Sequence, residues 1–479
     1  MRKKYVKRAV LNRKVLGASI GAGTLLWAGP VSAQEAEVTV ADVEAANATT
    51  QAILDNLWLV IAGCLVFLMQ AGFAFVEAGL TRAKNIANIM AKNLADMAIG
   101  AVAFFIIGWS IAYGTSGNNW WGGLNDFFFK DSGDPNVLFD ISAGLSPATN
   151  FFFQVVFAAT AVTIASGAMA ERTKFSGYLI FSAAMTAIIY PVVVHWTWGM
   201  GLIAQINIGG HVYSDFAGSS IVHLTGGVAA LVGAAILGPR IGKYGPDGKP
   251  RAIPGHNIGF AVIGVFILWF GWFGFNAGSE LAADGLLSFL AMNTLMAAAA
   301  GVIGASIVVY LKTGVADVAM AGNGALAGLV SITAPVGTVE PWAALVIGFV
   351  GGMLVVFAVL FFDRIRIDDP VGAIAVHGVC GIWGTLSIGL FAKYDDAFLS
   401  GGGIEEHYGL FYGGGFDQLL VQALMVVIIV TWVGVTSFLV FKAIDKTIGL
   451  RVDEEEEVTG LDVAEHGSAG YGLETIGLS

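Results

Sequence analysis

Charged residues are scarce in this chain of 479 residues. They make up 12% of it, about half the share found in a soluble globular domain. Only 24 residues are Lys or Arg, against 35 Asp and Glu, so the chain lacks the basic surface that binds nucleic-acid backbones. The two cysteines, Cys64 and Cys380, lie within apolar stretches, which argues against a disulfide scaffold or a cysteine-based metal site. We expect neither a soluble enzyme nor a nucleic-acid partner.

Apolar residues take the place of the missing charges. They make up 56% of the chain, and the mean hydropathy is +0.75. A membrane core about 30 Å thick needs about 20 apolar residues per helix, whereas a β-barrel would show short alternating strands. Eleven apolar runs fall at residues 57–76, 94–115, 150–170, 176–204, 217–238, 257–277, 286–311, 316–334, 342–362, 371–391 and 418–443. The sequence therefore predicts an all-α polytopic membrane protein with eleven transmembrane helices in the lipid bilayer.

The first 33 residues have the three parts of a secretory signal peptide. Residues 1–14 carry seven basic side chains, a short apolar run covers 15–29, and the small-residue sequence VSA ends the segment. The run is too short and too rich in glycine for a membrane helix. We expect residues 1–33 to be cleaved, which leaves 34–56 as a short external segment.

The distribution of Lys and Arg predicts the orientation. With the mature N-terminus outside and eleven helices, the C-terminus lies inside. On that topology fifteen basic residues, Lys92 among them, fall in inner loops and the C-terminal segment, while Lys130 and Lys393 fall in outer loops. Such a bias is typical of multi-pass proteins. We predict a cell-membrane protein with a transmembrane domain over 57–443 and an acidic cytoplasmic tail over 444–479.

Two segments share one pattern. The segments that begin at Asp215 and Asp369 both read D-x-x-G-x-x-x-V-H-x-x-x-G, so His223 and His377 follow their aspartates by eight residues. Five helices separate the segments, so they enter the membrane from opposite sides. Inverted repeats of this kind are common in transporters, with the site near the membrane midplane. We predict a 5+5 inverted repeat followed by one C-terminal helix.

The repeat puts two histidines at equivalent depths. Eight helical residues rise about 12 Å, so both histidines lie near mid-membrane, where ionisable groups are costly and mark ion pathways. The alternative is two separate core histidines bonded to backbone carbonyls, and the matched spacing favours a functional pair. Haem is a weaker interpretation, and so is a metal site, because no third ligand is evident. We expect no cofactor and no metal.

Seven motifs carry a family resemblance. They are RAKNIANIMAKN at 82–93, FQVVFAATAV at 153–162, AERTKFSGYLIF at 170–181, DFAGSSIVH at 215–223, GWFGFNAGS at 271–279, DDPVGAIAVHGVCGIWG at 368–384 and GLRVDEEEEVTGLDVAEHG at 449–467. In this order, and over nearly everything after the first 33 residues, the chain resembles the ammonium transporter family (the Amt/Mep/Rh superfamily).

The resemblance implies the residues of an ammonium pore. It implies an outer substrate-binding site, a phenyl gate below that site, a histidine pair at mid-membrane, and one structural acid. The substrate-binding residues are Phe157, Trp198, Ser279 and Phe153, and the gate consists of Phe157 and Phe275. The histidine pair is His223 and His377, and the structural acid is Asp215. The resemblance also implies a homotrimer with one pore per subunit, and a PII-type signalling protein as a possible partner at the cytoplasmic face.

The residue chemistry agrees with ammonium uptake. Aromatic faces attract cations, and a serine hydroxyl accepts an N–H bond that Na⁺ cannot offer. Because an intact ammonium ion is expensive to move through a dry pore, we expect deprotonation at the mouth and passage of ammonia along the imidazoles, which titrate near neutral pH. The alternatives are an ammonium sensor with little flux and an Rh-like channel for neutral ammonia or carbon dioxide. Nothing resembles the nucleophile–base set or cofactor loop of an enzyme.

Three acids and the tail complete the expectations. Asp215 should cap free N–H groups at the start of the fifth helix. Glu77 should lie at the membrane interface. Glu280, beside Ser279, should either raise the local cation concentration or simply face solvent, and we favour the second. The tail carries five apolar residues among its charges, which predicts docking on inner loops rather than a purely solvated acidic run. These are Leu450, Val452, Val458, Leu461 and Val463.

Overall fold

A computed structural model of the chain describes residues 39–129, 135–142, 144–393 and 408–472. The predicted signal peptide lies outside these residues. The chain divides into two compact units, residues 1–48 and 49–479. In the described part of the first unit, Thr39 and Asp42 exchange hydrogen bonds that cap the start of a helix.

Eleven apolar helices make up most of the described chain. They are α1 (Val40–Leu80), α2 (Ala83–Tyr113), α3 (Pro147–Ala168), α4 (Phe175–Trp196), α5 (Ser219–Leu237), α6 (Ile258–Gly278), α7 (Leu286–Thr313), α8 (Val318–Thr333), α9 (Pro341–Arg364), α10 (Ile374–Phe391) and α11 (Asp417–Thr447). Of these described helices, ten are long and apolar enough to cross a membrane, and α8 is shorter. The chain is therefore a mostly helical, multi-spanning membrane protein, while the eleventh span and the orientation stay predictions.

Short elements connect and follow these helices. Three single helical turns cover Phe127–Phe129, Pro135–Phe139 and Leu410–Tyr412. Strands β1 (Asn207–Ile208) and β2 (His211–Val212) form an antiparallel hairpin in which Asn207 pairs with Val212. After α11 the chain forms α12 (Glu454–Thr459) and α13 (Leu461–His466).

The first two helices begin before the apolar runs that predicted them. The predicted external segment 34–56 is helical from Val40 onward, because its alanine-rich sequence favours a helix. The helix α2 begins at Ala83, eleven residues before its run, and Lys92 lies within it, fully buried. The assignment of Lys92 to an inner loop was therefore wrong, because hydropathy cannot distinguish a buried charge from a loop.

Helices α3, α5 and α10 form the centre of the bundle. Their apolar windows are 89%, 78% and 72% buried, against 33% for α2 and α11. The helices α5 and α10 cross in backbone contact, since a Cβ on Gly227 would lie 2.3 Å from the nitrogen of Gly378. Small residues allow such close crossings between membrane helices. The two helices that carry the repeated histidine motif are thus in direct contact.

An ion-pair network joins the segments at one end of the bundle, which we call the Arg240 end. Arg240 binds both oxygens of Asp368 at 2.8 and 3.0 Å and donates to Glu171 at 2.7 Å. Glu171 also pairs with Arg82 at 3.0 Å. Burial alone would raise the pKa of both carboxyls, but Arg240, helped at Glu171 by Arg82, lowers each to about 2. Both acids are therefore ionised and fully paired at neutral pH.

The C-terminal tail docks on this same end. Glu457 accepts hydrogen bonds from Arg451 at 2.8 Å and from the backbone of Ile241 at 2.7 Å. Asp462 accepts one from the backbone of Asn88 at 3.0 Å. Of the five apolar tail residues, three are buried and two, Val458 and Val463, are exposed. The predicted docking therefore holds, through polar contacts as much as through apolar ones.

Candidate functional site

A cavity of about 370 Å³ lies at the opposite end of α5 from Arg240. We call it the Trp198 cavity. Its lining contains the four residues of the implied substrate site and five others that the motifs did not single out. The nine are Phe153, Phe157, Trp198 and Ser279, with Tyr113, Asn150, Gln154, Phe216 and Leu281. The structure thus brings together Phe153 and Phe157 from one motif, Ser279 from another, and Trp198, which lies outside the seven motifs.

Hydrogen bonds fix the orientation of two polar groups of the Trp198 cavity. The Ser279 hydroxyl donates to the carbonyl of Phe275 at 2.8 Å. A hydroxyl has one proton and two lone pairs, so the Ser279 oxygen is left to act as an acceptor. The Trp198 indole N–H donates to the carbonyl of Asp215 at 3.0 Å, which holds the ring beside Phe157, with centroids 6.0 Å apart. An acceptor oxygen and aromatic rings suit a small cation that donates hydrogen bonds.

Stacked rings lead from the cavity toward the histidines. The rings of Phe157 and Phe275 stack with centroids 4.1 Å apart and an angle of 30°, and Phe153 lies 4.7 Å from Phe157. Phe275 in turn stacks on His223 at 5.3 Å. The phenyl pair therefore lies between the Trp198 cavity and the histidines, as a hydrophobic constriction would.

The two histidines are in direct contact. Their Nδ1 atoms are 3.2 Å apart and their rings stack with centroids at 5.2 Å. His223 is fully buried and His377 is 4% exposed. A hydrogen bond between two Nδ1 atoms requires a proton on one of them and a lone pair on the other. This arrangement differs from the alternative of two histidines bonded separately to backbone carbonyls.

Each histidine lies in a π-helical turn. The turns cover Ser219–Leu224 and Ile374–Val379. Such turns are rare and occur often at functional sites. A glycine with positive φ precedes each turn: Gly218 at 115° and Gly372 at 81°. The repeated sequence pattern is thus a repeated backbone geometry.

Asp215 caps the first of these turns. Its carboxylate accepts hydrogen bonds from the backbone N–H groups of Gly218, Ser219, Ser220 and Ile221, at 2.7 to 3.2 Å. It also accepts hydroxyl bonds from Ser220 at 2.7 Å and from Tyr213 at 3.2 Å. Asp215 does not line the Trp198 cavity, so its contact with the site runs through the indole of Trp198.

Glu280 stands apart from the cavity lining. Ser279 and Leu281 line the Trp198 cavity, whereas Glu280 between them does not. Burial, together with the nearby charge of Asp284, raises the pKa of the Glu280 carboxyl to about 7. The carboxyl is half-buried rather than fully solvated, so only part of the expectation of a solvent-facing side chain holds.

Sequence reasoning missed a group of buried acids and bases. Glu77 is 2% exposed, so other parts of the protein cover it near the end of α1, and its expected depth at the membrane interface stays a prediction. Lys92 and Asp96 are fully buried, and their i,i+4 spacing in an otherwise apolar helix is a signal that puts both on one face. Trp272, which stacks on His223 at 5.0 Å, carried no signal beyond its place in a family motif.

No metal-binding group is found among the described residues. In the ranges that the structure describes, no cluster of three or more His, Cys, Asp or Glu side chains has the geometry to hold an ion. Cys64 and Cys380 are both free.

The chain is similar to known proteins over most of its length. The pattern that defines the Ammonium Transporter Family matches residues 57–471. Ammonium transporter Amt2 of Archaeoglobus fulgidus is 46% identical over 427 residues, which cover 87% of this chain and 88% of that protein. A solved structure titled Sensor Amt Protein has a TM-score of 0.79 at 38% identity, covering 87% of this chain and 99% of that one. Candida albicans Mep2 has a TM-score of 0.76 at 30% identity, covering 87% and 90%. The chain therefore belongs to the ammonium transporter family.

Proposed function

We propose that the protein takes up ammonium across the cell membrane through a pore within each chain. Ammonium binds in the Trp198 cavity and releases a proton there. Ammonia then passes the phenyl pair and moves along His223 and His377. The observation that carries this proposal is the unbroken sequence of contacts from the cavity through Phe157 and Phe275 to the paired histidines.

The residues of the cavity can distinguish ammonium from other cations. The ring faces attract any small cation, but the Ser279 oxygen accepts a hydrogen bond that only a protonated nitrogen offers. The apolar phenyl pair below disfavours a charged species. We therefore expect the proton to leave the nitrogen at the cavity, so that neutral ammonia enters the constriction while the proton crosses separately by way of the imidazole pair. One positive charge then crosses for each ammonium ion.

Purified protein in liposomes on a solid-supported membrane tests the proposal. An ammonium pulse should give a saturating current, and a sodium pulse of equal strength should give none. Alkalinisation of the vesicle without current would favour a neutral gas channel of the Rh kind. Binding with neither current nor alkalinisation would favour a sensor, an alternative that the name of one structural relative, Sensor Amt Protein, keeps open for this chain.

Histidine variants test the pore path. His223→Ala and His377→Ala should each change the current, its ion selectivity or its pH dependence far more than the amount of folded protein. Because the rings share one hydrogen bond, the double variant should be non-additive. Wild-type flux and selectivity in both single variants would exclude the histidine pair as a functional unit.

We also propose that the docked tail is a cytoplasmic regulatory element. The tail contacts Ile241, next to Arg240, and Asn88 in α2. A displacement of the tail would therefore change contacts at the Arg240 end. The family resemblance implies a homotrimer and a PII-type partner at this face. Deletion after Lys446 should alter transport strongly and leave membrane insertion intact.

A single substitution sharpens the test of the tail. Glu457→Gln removes the carboxylate that binds Arg451 and Ile241, and it should reproduce part of the deletion effect. Glu455→Gln, on the exposed side of α12, is the matched control and should transport as wild type does. Wild-type flux in the truncated protein, with or without a PII-type protein, would show that the tail has no regulatory role.

A further inference from the structure

His195 lies in the last turn of α4, three residues before Trp198. Its side chain is 7% exposed and does not line the Trp198 cavity. The ring faces a backbone carbonyl at each nitrogen: Nδ1 lies 3.0 Å from the oxygen of Ala112, and Nε2 lies 2.8 Å from the oxygen of Asn118. Because a carbonyl oxygen only accepts, each of these bonds needs an N–H on the ring.

Only the imidazolium form of His195 can make both bonds at once. A neutral imidazole has one N–H and one lone pair, whereas the protonated ring donates from both nitrogens. His195 stands in the C-terminal turn of α4 and binds the last turn of α2, and the C-terminal ends of helices complement a positive charge. The two contacts therefore describe a ring that carries two protons.

No carboxylate competes with the carbonyls for this ring. In the part of the chain that the structure describes, the ring of His195 is paired with the two carbonyls and with no acid. The helix α11 packs on α4 through Trp432 and Trp196, and it has no titratable residue between Asp417 and Lys442. The titratable groups on the other neighbouring segments are Tyr113, Asp126, Tyr190, His211, Tyr213 and Asp215.

Loss of one proton should break the bond to Asn118 rather than the bond to Ala112. Ala112 is fully buried, and a buried acceptor without a partner is costly. The Asn118 carbonyl lies in an exposed loop and also accepts from the backbone of Trp121 at 3.2 Å. We call residues 114–122 the Asn118 loop. In its neutral form His195 therefore keeps its bond to α2 and releases this loop.

The Asn118 loop supports the segment that carries Trp198. The Asn119 carbonyl accepts a hydrogen bond from the backbone of Leu202 at 2.8 Å. The Trp196 indole donates to another carbonyl of the same loop at 2.9 Å. These bonds lie before and after Trp198 in the sequence. Release of the loop should therefore loosen the position of the Trp198 ring in the cavity.

We propose that His195 is a positioning residue of the Trp198 cavity, and that its protonation fastens the Asn118 loop. With two protons, the ring joins α2, the loop and α4, and Trp198 is held in place for ammonium. With one proton, the loop is released and ammonium binds more weakly. The effect on ammonium rests on the proposed function, whereas the effect on the loop does not.

The pH dependence of half-saturation in liposomes tests this role. Histidine changes its charge between about pH 5 and about pH 8. Over this range the loss of one hydrogen bond should raise the ammonium concentration for half-maximal current by about threefold in the wild type. His195→Gln has one amide donor group and does not titrate, so its half-saturation at every pH should equal the wild-type value at the alkaline end.

Two further comparisons separate positioning from a general structural defect. The maximal current of His195→Gln should stay within about twofold of the wild type, because weaker binding alone leaves the later steps unchanged. His211→Gln is the matched control. It replaces a histidine that contacts Gln418 and does not line the cavity, and it should keep the wild-type pH profile.

Hydrogen exchange of backbone amides gives a readout that needs no transport. After correction for the intrinsic effect of pH on exchange, residues 114–122 and 200–206 should be better protected at the acid end of the range than at the alkaline end. His195→Gln should remove this difference, and His211→Gln should retain it.

Three outcomes would overturn the proposal. The same pH dependence of half-saturation in the wild type and in His195→Gln would show that the ring does not act through its proton. A lower maximal current at every pH, with unchanged half-saturation, would assign His195 a structural role alone. If His195→Gln does not fold, the wild-type exchange data decide, and equal protection of the Asn118 loop at both ends of the range would exclude the proposal. Absence of any wild-type current would instead count against the proposed function, because exchange reports on the loop directly.

Discussion

The two aspartate turns of the molecule have the same plan but different support. Asp215 and Asp369 each accept backbone N–H bonds from the residues that follow, and each turn continues into a π-helical histidine segment. Asp215 accepts four such bonds and two hydroxyl bonds, whereas Asp369 accepts two, from Gly372 at 3.0 Å and Ile374 at 2.7 Å.

A neighbouring acid makes up the difference at the second turn. Asp368 precedes Asp369 and holds Arg240 through three hydrogen bonds. One carboxylate therefore both caps the turn and anchors the surrounding chain at Asp215, while two adjacent carboxylates divide these tasks at the Arg240 end. The lesson is that a repeat can conserve a backbone geometry while each copy fixes it with different side chains.

Removing the aspartates should show the largest difference between the turns. Asp215→Ala leaves four N–H groups without a partner, at about 1–3 kcal/mol for each buried group, and should abolish transport and lower the melting temperature. Asp369→Ala should be milder, since only two bonds are lost. Asp215→Asn should fold better than Asp215→Ala, because the amide oxygen still caps. Equal stability and activity of the Ala and Asn variants at Asp215 would contradict the capping role.

Breaking the ion-pair network should destabilise the second turn. Arg240→Gln leaves Asp368 and part of Glu171 buried without their partner, which costs about 3–5 kcal/mol. Titration of the purified protein with a denaturing detergent would measure this loss. Arg364→Gln, at an exposed position at the end of α9, is the control and should unfold as the wild type does. A loss of under about 1 kcal/mol at Arg240 would show that the network does not anchor this turn.

Low pH should destabilise the second turn, which the ion-pair network anchors, more than the first turn. The pKa values of Glu171 and Asp368 lie at about 2, below those of an unfolded chain, near 4. Their stabilisation is therefore complete above about pH 4 and is lost as the pH falls toward 2. Burial raises the pKa of Asp215. Protonation of Asp215 at low pH therefore favours the folded state, whereas protonation of Glu171 and Asp368 disfavours it.

Melting temperatures between pH 6 and pH 3 would measure this effect. They should fall in the wild type toward the acid end, and Asp368→Asn should flatten the fall. An unchanged acid slope in Asp368→Asn would contradict the assignment.

The glycines before the π-helical turns give the smallest expected difference. A side chain at Gly218, with φ of 115°, is more strained than one at Gly372, with φ of 81°. Gly218→Ala should cost about 1–3 kcal/mol, and Gly372→Ala about 1 kcal/mol. The same detergent titration would rank them, and the reverse order would show that packing, rather than φ, sets the cost.

The sequence predicted much of the site because its signals are local patterns. The shared spacing from Asp215 to His223 and from Asp369 to His377 is visible without a structure, and so are the apolar runs. The burial of Glu77 and Lys92 could not be predicted in this way, because a charge near a helix end looks the same whether lipid, water or protein covers it. The π-helical turns also lack a composition signal, since they differ from α-helix only in hydrogen-bond register.

The hydrogen-bond register of the first π-helical turn makes α5 sensitive to chain length. A π-helical turn contains one more residue between bonded groups than an α-helical turn, and successive α-helical residues are rotated by about 100°. Deletion of one residue within Ser219–Leu224 therefore has two possible results. The turn becomes α-helical and the π-helical geometry around His223 is lost, or the turn stays π-helical and the rest of α5 rotates by about 100°. In the second case Gly227 would no longer face Gly378, and a bulkier side chain would collide with the backbone of α10. Substitutions between Asp215 and Gly227, at positions other than Gly218 and His223, should thus be tolerated far more readily than a one-residue deletion.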